Sequence, residues 1–328
     1  IKTMKNTYLS IKEIQEIVSK DLQEVNNIII DNIGNEVPLI KDLSKHILAS
    51  GGKRIRPIVT LLSSSLCNYS GKNHLFLAAC VEFIHTATLL HDDVIDESKV
   101  RRGVATANDV FGNKTSVLVG DFLFSRAFEL MVQNGSKKIL EILSKASSTI
   151  AQGEVLQLTT INDSNTSKEL YMKIIKNKTA SLFSAASEIG AILSEEEYTI
   201  QKSLKVYGEK LGIAFQLVDD ALDYVGTSAL DKNIGDDFRE GKMTLPVIIS
   251  LEASNLEEKS FWIKTIENLD QSSNDLNKAI ELINKYNGIS STLALAKKYS
   301  MEAIKSLEIF PQSEAKLALE SLASIAVN

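Results

Sequence analysis

Residues 78–96 read Ala78-Ala79-Cys80-Val81-Glu82-Phe83-Ile84-His85-Thr86-Ala87-Thr88-Leu89-Leu90-His91-Asp92-Asp93-Val94-Ile95-Asp96. From Ala78 to Leu90 the segment is apolar around more of its circumference than a surface helix should be, so it reads as a central, buried helix. It then runs straight into aspartates. A second stretch, Leu211 to Val218, has the same character and runs into Asp219-Asp220-Ala221-Leu222-Asp223. Carboxylates at the end of a buried helix are costly unless something cationic meets them.

Outward from these two segments the chain reads as a row of helices. Residues 10–32 carry Ile11, Ile14, Ile17, Val18, Leu22, Val25, Ile28 and Ile29 at a 3.6-residue period. Similar patterns predict helices over 38–49, 57–68, 73–95, 106–111, 115–134, 137–159, 168–193, 197–224, 243–253, 256–269, 274–286, 290–307 and 312–325. Only 4 of 328 residues are Pro, too few turn formers for many short strands. The expected fold is all-α. No repeat or long Gly/Ser linker divides residues 1–328, so one domain is expected.

In each aspartate cluster the outer carboxylates are four residues apart, one helical turn above each other on one face. Like charges there repel. A divalent cation bridging them reverses that term, and oxygen-only ligands with room for water suit Mg²⁺ best. Such an ion serves phosphate, and local cations are present to meet it. Gly51-Gly52-Lys53-Arg54-Ile55-Arg56-Pro57 puts three cations after a flexible turn, Arg101-Arg102 follows the first cluster, Lys178-Thr179 lies in one helix, and Lys232 and Lys242 flank an acidic loop.

The net charge of −6 gives no global field to draw nucleic acid. Cys67 and Cys80 stand in apolar helical contexts without metal-site spacing, which points to buried thiols in a reducing cytosol. No window approaches the ~20 uncharged apolar residues of a membrane span, and the first ten residues lack a secretory pattern. A cytoplasmic chain is expected.

The run Glu82 to Ser98, continuing to Arg101-Arg102-Gly103, closely resembles the trans-type polyprenyl diphosphate synthases, most of all those that make octaprenyl, solanesyl and decaprenyl chains for quinones. The likeness spans nearly the whole chain. It implies an all-α helical bundle around a deep central cavity, usually homodimeric. Carried over by motif, Asp92, Asp96 and Asp219 would be Mg²⁺ ligands, with Asp93, Asp220 and Asp223 supporting them directly or through water. Three ions with substrate bound, or Mn²⁺ in their place, fit that family. Lys53, Arg56, His85 and Arg102 match its isopentenyl diphosphate site. Arg101, Lys178, Thr179, Gln216, Lys232 and Lys242 match the groups that hold the allylic diphosphate, and Lys178 also belongs with the catalytic set. His91 is expected in a packing role beside the aspartates.

The resemblance implies head-to-tail condensation of isopentenyl diphosphate onto an allylic diphosphate such as farnesyl diphosphate, with the product passed toward a membrane. Ala87 and Thr88, one turn before Asp92, are small where short-chain members carry bulky aromatics, so a C40–C50 product is expected. A short-chain farnesyl or geranylgeranyl synthase is the alternative. Phe122, Phe124, Phe128 and Met131 are candidates for the tunnel floor. A terpene cyclase would lack the isopentenyl diphosphate site and the second DDxxD. A phosphohydrolase using His91 would need further histidines, but His46 and His74 have no acidic partner of the right pattern. A non-catalytic subunit would lose aspartates that are complete here. Family members commonly end in basic residues, whereas this sequence closes Ser324-Ile325-Ala326-Val327-Asn328, so a truncated or missing C-terminal cap is expected.

Overall fold

The computed structural model describes residues 8–49, 52–101, 103–225 and 234–328. The chain opens with α1 (Ile11–Ile17), α2 (Ser19–Ile33) and α3 (Pro38–Ala49), followed by α4 (Ile55–Leu66) and α5 (Asn73–Ile95). A two-stranded hairpin, β1 (Val100–Arg101) and β2 (Val104–Ala105), leads to α6 (Ala107–Phe111), α7 (Asn113–Asn134) and α8 (Lys137–Leu158). Then come α9 (Lys168–Ile175), α10 (Ser181–Leu193), α11 (Tyr198–Leu222) and α12 (Asp236–Arg239). The chain closes with α13 (Leu245–Ala253), α14 (Leu256–Trp262), α15 (Asp275–Lys285), α16 (Gly288–Ser306) and α17 (Glu314–Ile325).

The all-α expectation holds. α5 packs against α7, α4 and α2, and α11 packs against α16 and α10, so the two segments that end in aspartates are central helices. One apolar cluster gathers around α4, α5, α7 and α10, and a second around Trp262, Phe238 and Ile248. α11 belongs to both, through Leu204, Tyr207 and Leu211 on one side and Ile213 and Leu217 on the other.

Differences from the periodicity reading have local causes. The predicted helix over 10–32 is broken at Val18, whose φ/ψ of −104°/11° leaves the helical region. The helix predicted over 168–193 is interrupted by a π turn at Lys176–Ala180, and the one over 256–269 by another at Ile263–Glu267. One extra residue in a turn does not disturb an apolar stripe enough to be read from sequence. The hairpin and α12 are too short to carry a period.

By length and mean hydropathy of 1.3, α5 is the one described helix that could cross a membrane, contrary to the sequence expectation. It is instead the central core helix, carrying Glu82, Asp92 and Asp93 among its buried or half-buried residues. Cys67 and Cys80 are free and buried, and burial pushes the Cys67 thiol up to about 12.

Helices α10 and α11 approach closely because Gly208 has no side chain. A Cβ there would lie 2.2 Å from the Phe183 carbonyl oxygen and from Ser187 Oγ. Gly208→Val should therefore push the two helices apart and cost about 1–3 kcal/mol or more, as overpacking does. Thermal unfolding of the purified variant checks this, and an unchanged midpoint would show that the contact can relax freely.

Candidate active site

Both aspartate clusters occupy the last turn of a helix, where the backbone carbonyls already present partial negative charge. The structure supplies the cations that offset them. Lys178 Nζ lies 3.4 Å from Asp92 Oδ2 and 2.8 Å from both Glu154 Oε2 and Gln157 Oε1 of α8. Lys242 Nζ lies 3.1 Å from Asp96 Oδ2 and 2.5 Å from Glu240 Oε2. Burial alone would lower both ammonium groups, but Asp92 and Glu154 around Lys178, and Asp96, Asp237 and Glu240 around Lys242, outweigh it and raise them. Both lysines stay charged.

The inner aspartates are occupied differently. Asp93 is buried, and its Oδ1 accepts from Arg101 Nη2 at 2.7 Å and Nε at 3.0 Å. Desolvation raises its carboxyl while Arg101 pulls it back. The hairpin that carries Arg101 is fastened to the helix end. Asn108 Nδ2 donates to the carbonyls of Asp93 and Ser98, and Thr106 Oγ1 donates to Ser98 O at 2.6 Å. Asp220 accepts from Tyr171 Oη at 2.5 Å and Gln216 Nε2 at 2.8 Å. Burial and the nearby Asp237 push its carboxyl up to about 7 against those two bonds. Asp223 Oδ2 accepts the Asp237 backbone N–H at 3.1 Å.

The π turn sends adjacent residues to different neighbours. Lys178 reaches α8 and Asp92, while Thr179 Oγ1 donates to Gln216 Oε1 at 2.7 Å on α11. Gly153 lets α8 lie against this turn, since a Cβ there would be 2.8 Å from Lys178 N. On the other side Arg56 Nη1 sits 3.1 Å from His85 Nε2, with its guanidinium 4.3 Å from the centre of the Phe183 ring. Lys53 is exposed. Arg54, left-handed at φ 52°, pairs with buried Glu82 of α5 and holds this segment to the core.

Thus the structure brings together Asp92, Asp96, Lys178 and Lys242, and separately links Thr179, Gln216 and Asp220. Asp219 is exposed on the face of α11 next to Gln216. Arg102, Gly51 and Lys232 lie outside the described residues. Glu154, Gln157, Tyr171, Asp237 and the Arg54–Glu82 pair were not singled out from sequence. Glu154 and Gln157 carried a faint signal, polar residues following the close-packing Gly153, whereas Tyr171 carried none.

His91 faces α7, where its Nε2 lies 3.5 Å from Asp121 Oδ1. The same nitrogen lies 3.1 Å from the Val117 carbonyl, and the ring stacks 6.4 Å from that of Phe124. His46 meets the Ala105 carbonyl at 2.7 Å. His74 does have an acidic neighbour, Asp21 at 3.4 Å, at the contact of α2 with α5.

His85, Thr88, Leu89 and Asp92 share the half-buried face of α5, whereas Ala87 is fully buried on its packed side. Of the two positions read as chain-length determinants, only Thr88 therefore stands on the open face. A narrow cleft lies further down α5, between α2, α3 and α7, with Ile29, Ile47, Leu48, Phe83, Thr86 and Leu123 among its lining residues. None of the four floor candidates lines it. Leu123 does, Phe128 is 44% exposed, and Met131 is buried elsewhere in the core.

Among the described residues no three His, Cys, Asp or Glu side chains are grouped so as to hold a metal ion by themselves. The donors are nonetheless hard carboxylate oxygens one turn apart and partly open. That suits an ion that takes its other oxygens from diphosphate and water.

Glu154 makes the site pH-sensitive. Burial and Asp92 push its carboxyl up to about 7 against the pull of Lys178. The folded chain then keeps a proton on it between pH 4.5 and 7 that the unfolded chain releases. Stability from this group therefore falls as pH rises through that window, by roughly 3 kcal/mol in the metal-free protein. Glu154→Gln should flatten the slope in denaturant titrations at pH 5 and 8, and a slope equal to wild type would refute the assignment.

The Polyprenyl synthetase family description matches residues 37–283. An octaprenyl diphosphate synthase of Haemophilus influenzae is 43% identical over 325 residues, covering 99% of this chain and 98% of the relative. A polyprenyl synthase from Caulobacter crescentus, solved with calcium and isoprenyl diphosphate, superposes with a TM-score of 0.94 at 47% identity, over 97% of each chain. A decaprenyl diphosphate synthase from Rhodobacter capsulatus superposes with a TM-score of 0.93 at 44% identity, over 97% of this chain and 98% of that one.

Proposed function

The chain belongs to the polyprenyl synthetase family, and from that premise we propose that it is a long-chain trans-polyprenyl diphosphate synthase. It is a prenyltransferase that joins isopentenyl diphosphate to an allylic diphosphate and repeats the step. The observation that carries this reading is the pairing of Lys178 with Asp92 and of Lys242 with Asp96. Lysines distant in sequence meet one aspartate cluster there, an arrangement suited to ions and diphosphate.

Asp92, Asp96 and Asp219 would hold magnesium, which when bound neutralises charge growing on the departing diphosphate oxygens. The chain's own cations act in the same sense. Lys178, Lys242 and Arg101 stay charged and preorganised, so they stabilise the diphosphate without reorganising as the allylic C–O bond breaks. Arg56, His85, Lys53 and Arg102 hold isopentenyl diphosphate, whose double bond attacks the allylic carbon. That leaves positive charge on the tertiary carbon of the isopentenyl unit, and a proton then leaves the adjacent CH₂ on the diphosphate side to form the new double bond, with the departing diphosphate as the base. Most of the rate is therefore positioning and electrostatics.

A homodimer accords with Val110, Leu118, Phe128 and Val132, large apolar side chains exposed along α6 and α7 that a second copy would cover. A cytoplasmic enzyme supplying quinone side chains accords with the two buried thiols and with the octaprenyl relatives. The decisive experiment incubates the purified chain with labelled isopentenyl diphosphate, farnesyl diphosphate and Mg²⁺ and separates the products by length. A C40–C50 product is expected, and a C15 or C20 product alone would overturn the long-chain reading.

A further inference from the structure

Arg54 stands between Lys53 and Arg56 in sequence, but the fold gives it a different neighbour. Its guanidinium meets the carboxylate of Glu82 on α5, and the two side chains are 19% and 7% exposed. The backbone at Arg54 is left-handed, φ 52° and ψ 34°, directly ahead of α4, and its carbonyl accepts from Ile58 N at 3.0 Å to open that helix. A residue with a Cβ is held in this conformation only where its surroundings fix it. The pair with Glu82 is such a constraint.

The neighbouring cation is fastened to the same turn of α5. His85 lies three residues after Glu82, so the two side chains stand roughly 5–6 Å apart at Cβ on one face of the helix. Arg56 Nη1 sits 3.1 Å from His85 Nε2, and its guanidinium rests 4.3 Å from the centre of the Phe183 ring. From the other side Gln15 Nε2 of α1 donates to the Lys53 carbonyl at 3.4 Å. Arg54 is badly placed to bind diphosphate itself. Its charge is already balanced by Glu82, and swinging out would leave that carboxylate buried and alone. A bare carboxylate one turn from His85 would repel an incoming diphosphate.

We infer that Arg54 and Glu82 are positioning residues for isopentenyl diphosphate, whose ion pair sets the backbone from which Lys53 and Arg56 reach that substrate and cancels a carboxylate charge beside them. The inference rests on the functional reading above and deepens it. It divides the three cations of this segment: Lys53 and Arg56 bind, and Arg54 holds.

The test is steady-state kinetics on purified variants, with isopentenyl diphosphate and farnesyl diphosphate varied in turn at saturating Mg²⁺. Arg54→Gln strands the Glu82 carboxylate, so KM for isopentenyl diphosphate should rise about 10–100-fold, the scale of a lost charged contact. KM for farnesyl diphosphate and kcat at saturation should change by less than about twofold. Glu82→Gln frees a cation that still attracts diphosphate, so its rise should be smaller, about threefold to tenfold. The double variant Arg54→Gln/Glu82→Gln loses the strut but leaves no unbalanced charge. It should recover at least about threefold relative to Arg54→Gln and stay at least about threefold above wild type. Arg54→Lys, which keeps the charge, should fall between wild type and Arg54→Gln. Circular dichroism establishes that each variant is folded. The double variant carries the test if Arg54→Gln does not fold, because replacing both members of a buried pair is better tolerated than removing one.

A wild-type KM for isopentenyl diphosphate in Arg54→Gln or in the double variant, a double variant no better than Arg54→Gln, or equal rises in KM for both diphosphates would each overturn the inference alone. A wild-type chain that elongates no allylic diphosphate would overturn the functional reading, and the inference with it.

Discussion

Asp92→Asn should lower turnover by on the order of 10²–10³-fold, and Asp219→Asn by a similar factor, while both variants stay folded. The substitution keeps the shape of the side chain and removes one unit of negative charge where a cation must be held against diphosphate. Folding survives for different reasons at the two sites. Beside Asp92, Lys178 keeps Glu154 and Gln157 at 2.8 Å, so no buried ammonium is orphaned. Asp219 is exposed, so an isosteric amide there changes no buried surface. The measurement is kcat at rising Mg²⁺ together with circular dichroism. Near-normal turnover in either variant would remove that aspartate from the site, and lost helicity would show a structural role instead. Raised Mg²⁺ should restore part of the activity if the lost charge acts through ion affinity.

Thr88→Phe should shorten the product, the second large effect. Thr88 lies on the face of α5 that also carries His85 and Asp92, and its Oγ1 is occupied only locally, by the His85 carbonyl at 2.7 Å. On the proposed function, a tail growing from the aspartate end of α5 along this face would pass Thr88. A phenyl ring there adds apolar bulk across the path without overpacking the core, because the position is not fully enclosed. Chromatography of the products should show the distribution moving toward C15–C20 at little cost in the first condensation. Ala87→Phe is the control. Ala87 has no exposed surface, so a ring there should destabilise the fold before it alters chain length. A Thr88→Phe enzyme that still makes C40 or longer would mean that the tail leaves by another route.

The residues that hold the first aspartate cluster show how far a one-dimensional reading reaches. Asp92, Asp96, Lys178 and Lys242 could be named from type and spacing because each sits in a local pattern: carboxylates one turn apart, or a cation beside a helix or an acidic loop. Arg56 with His85, and Thr179 with Gln216, were named from motif likeness, and the fold brings each pair within hydrogen-bond reach. Tyr171 could not be found this way. It sits in an ordinary amphipathic helix, and its distinction is a contact across the fold to Asp220. Glu154 likewise became unusual only when burial and Asp92 raised its proton affinity.

By itself the chain's pattern determined the helical class, the two central helices and the aspartates at their ends, since apolar periodicity and charge spacing are properties of neighbours in sequence. Tertiary structure alone decided that Thr88 faces the open side while Ala87 is sealed, that Leu123 rather than Phe122, Phe124, Phe128 or Met131 lines the cleft, and that a π turn sends Lys178 to Asp92 and Thr179 to Gln216. Those facts depend on which face each helix turns to a partner far away in the chain, and close packing between whole helices sets that angle, not any local preference.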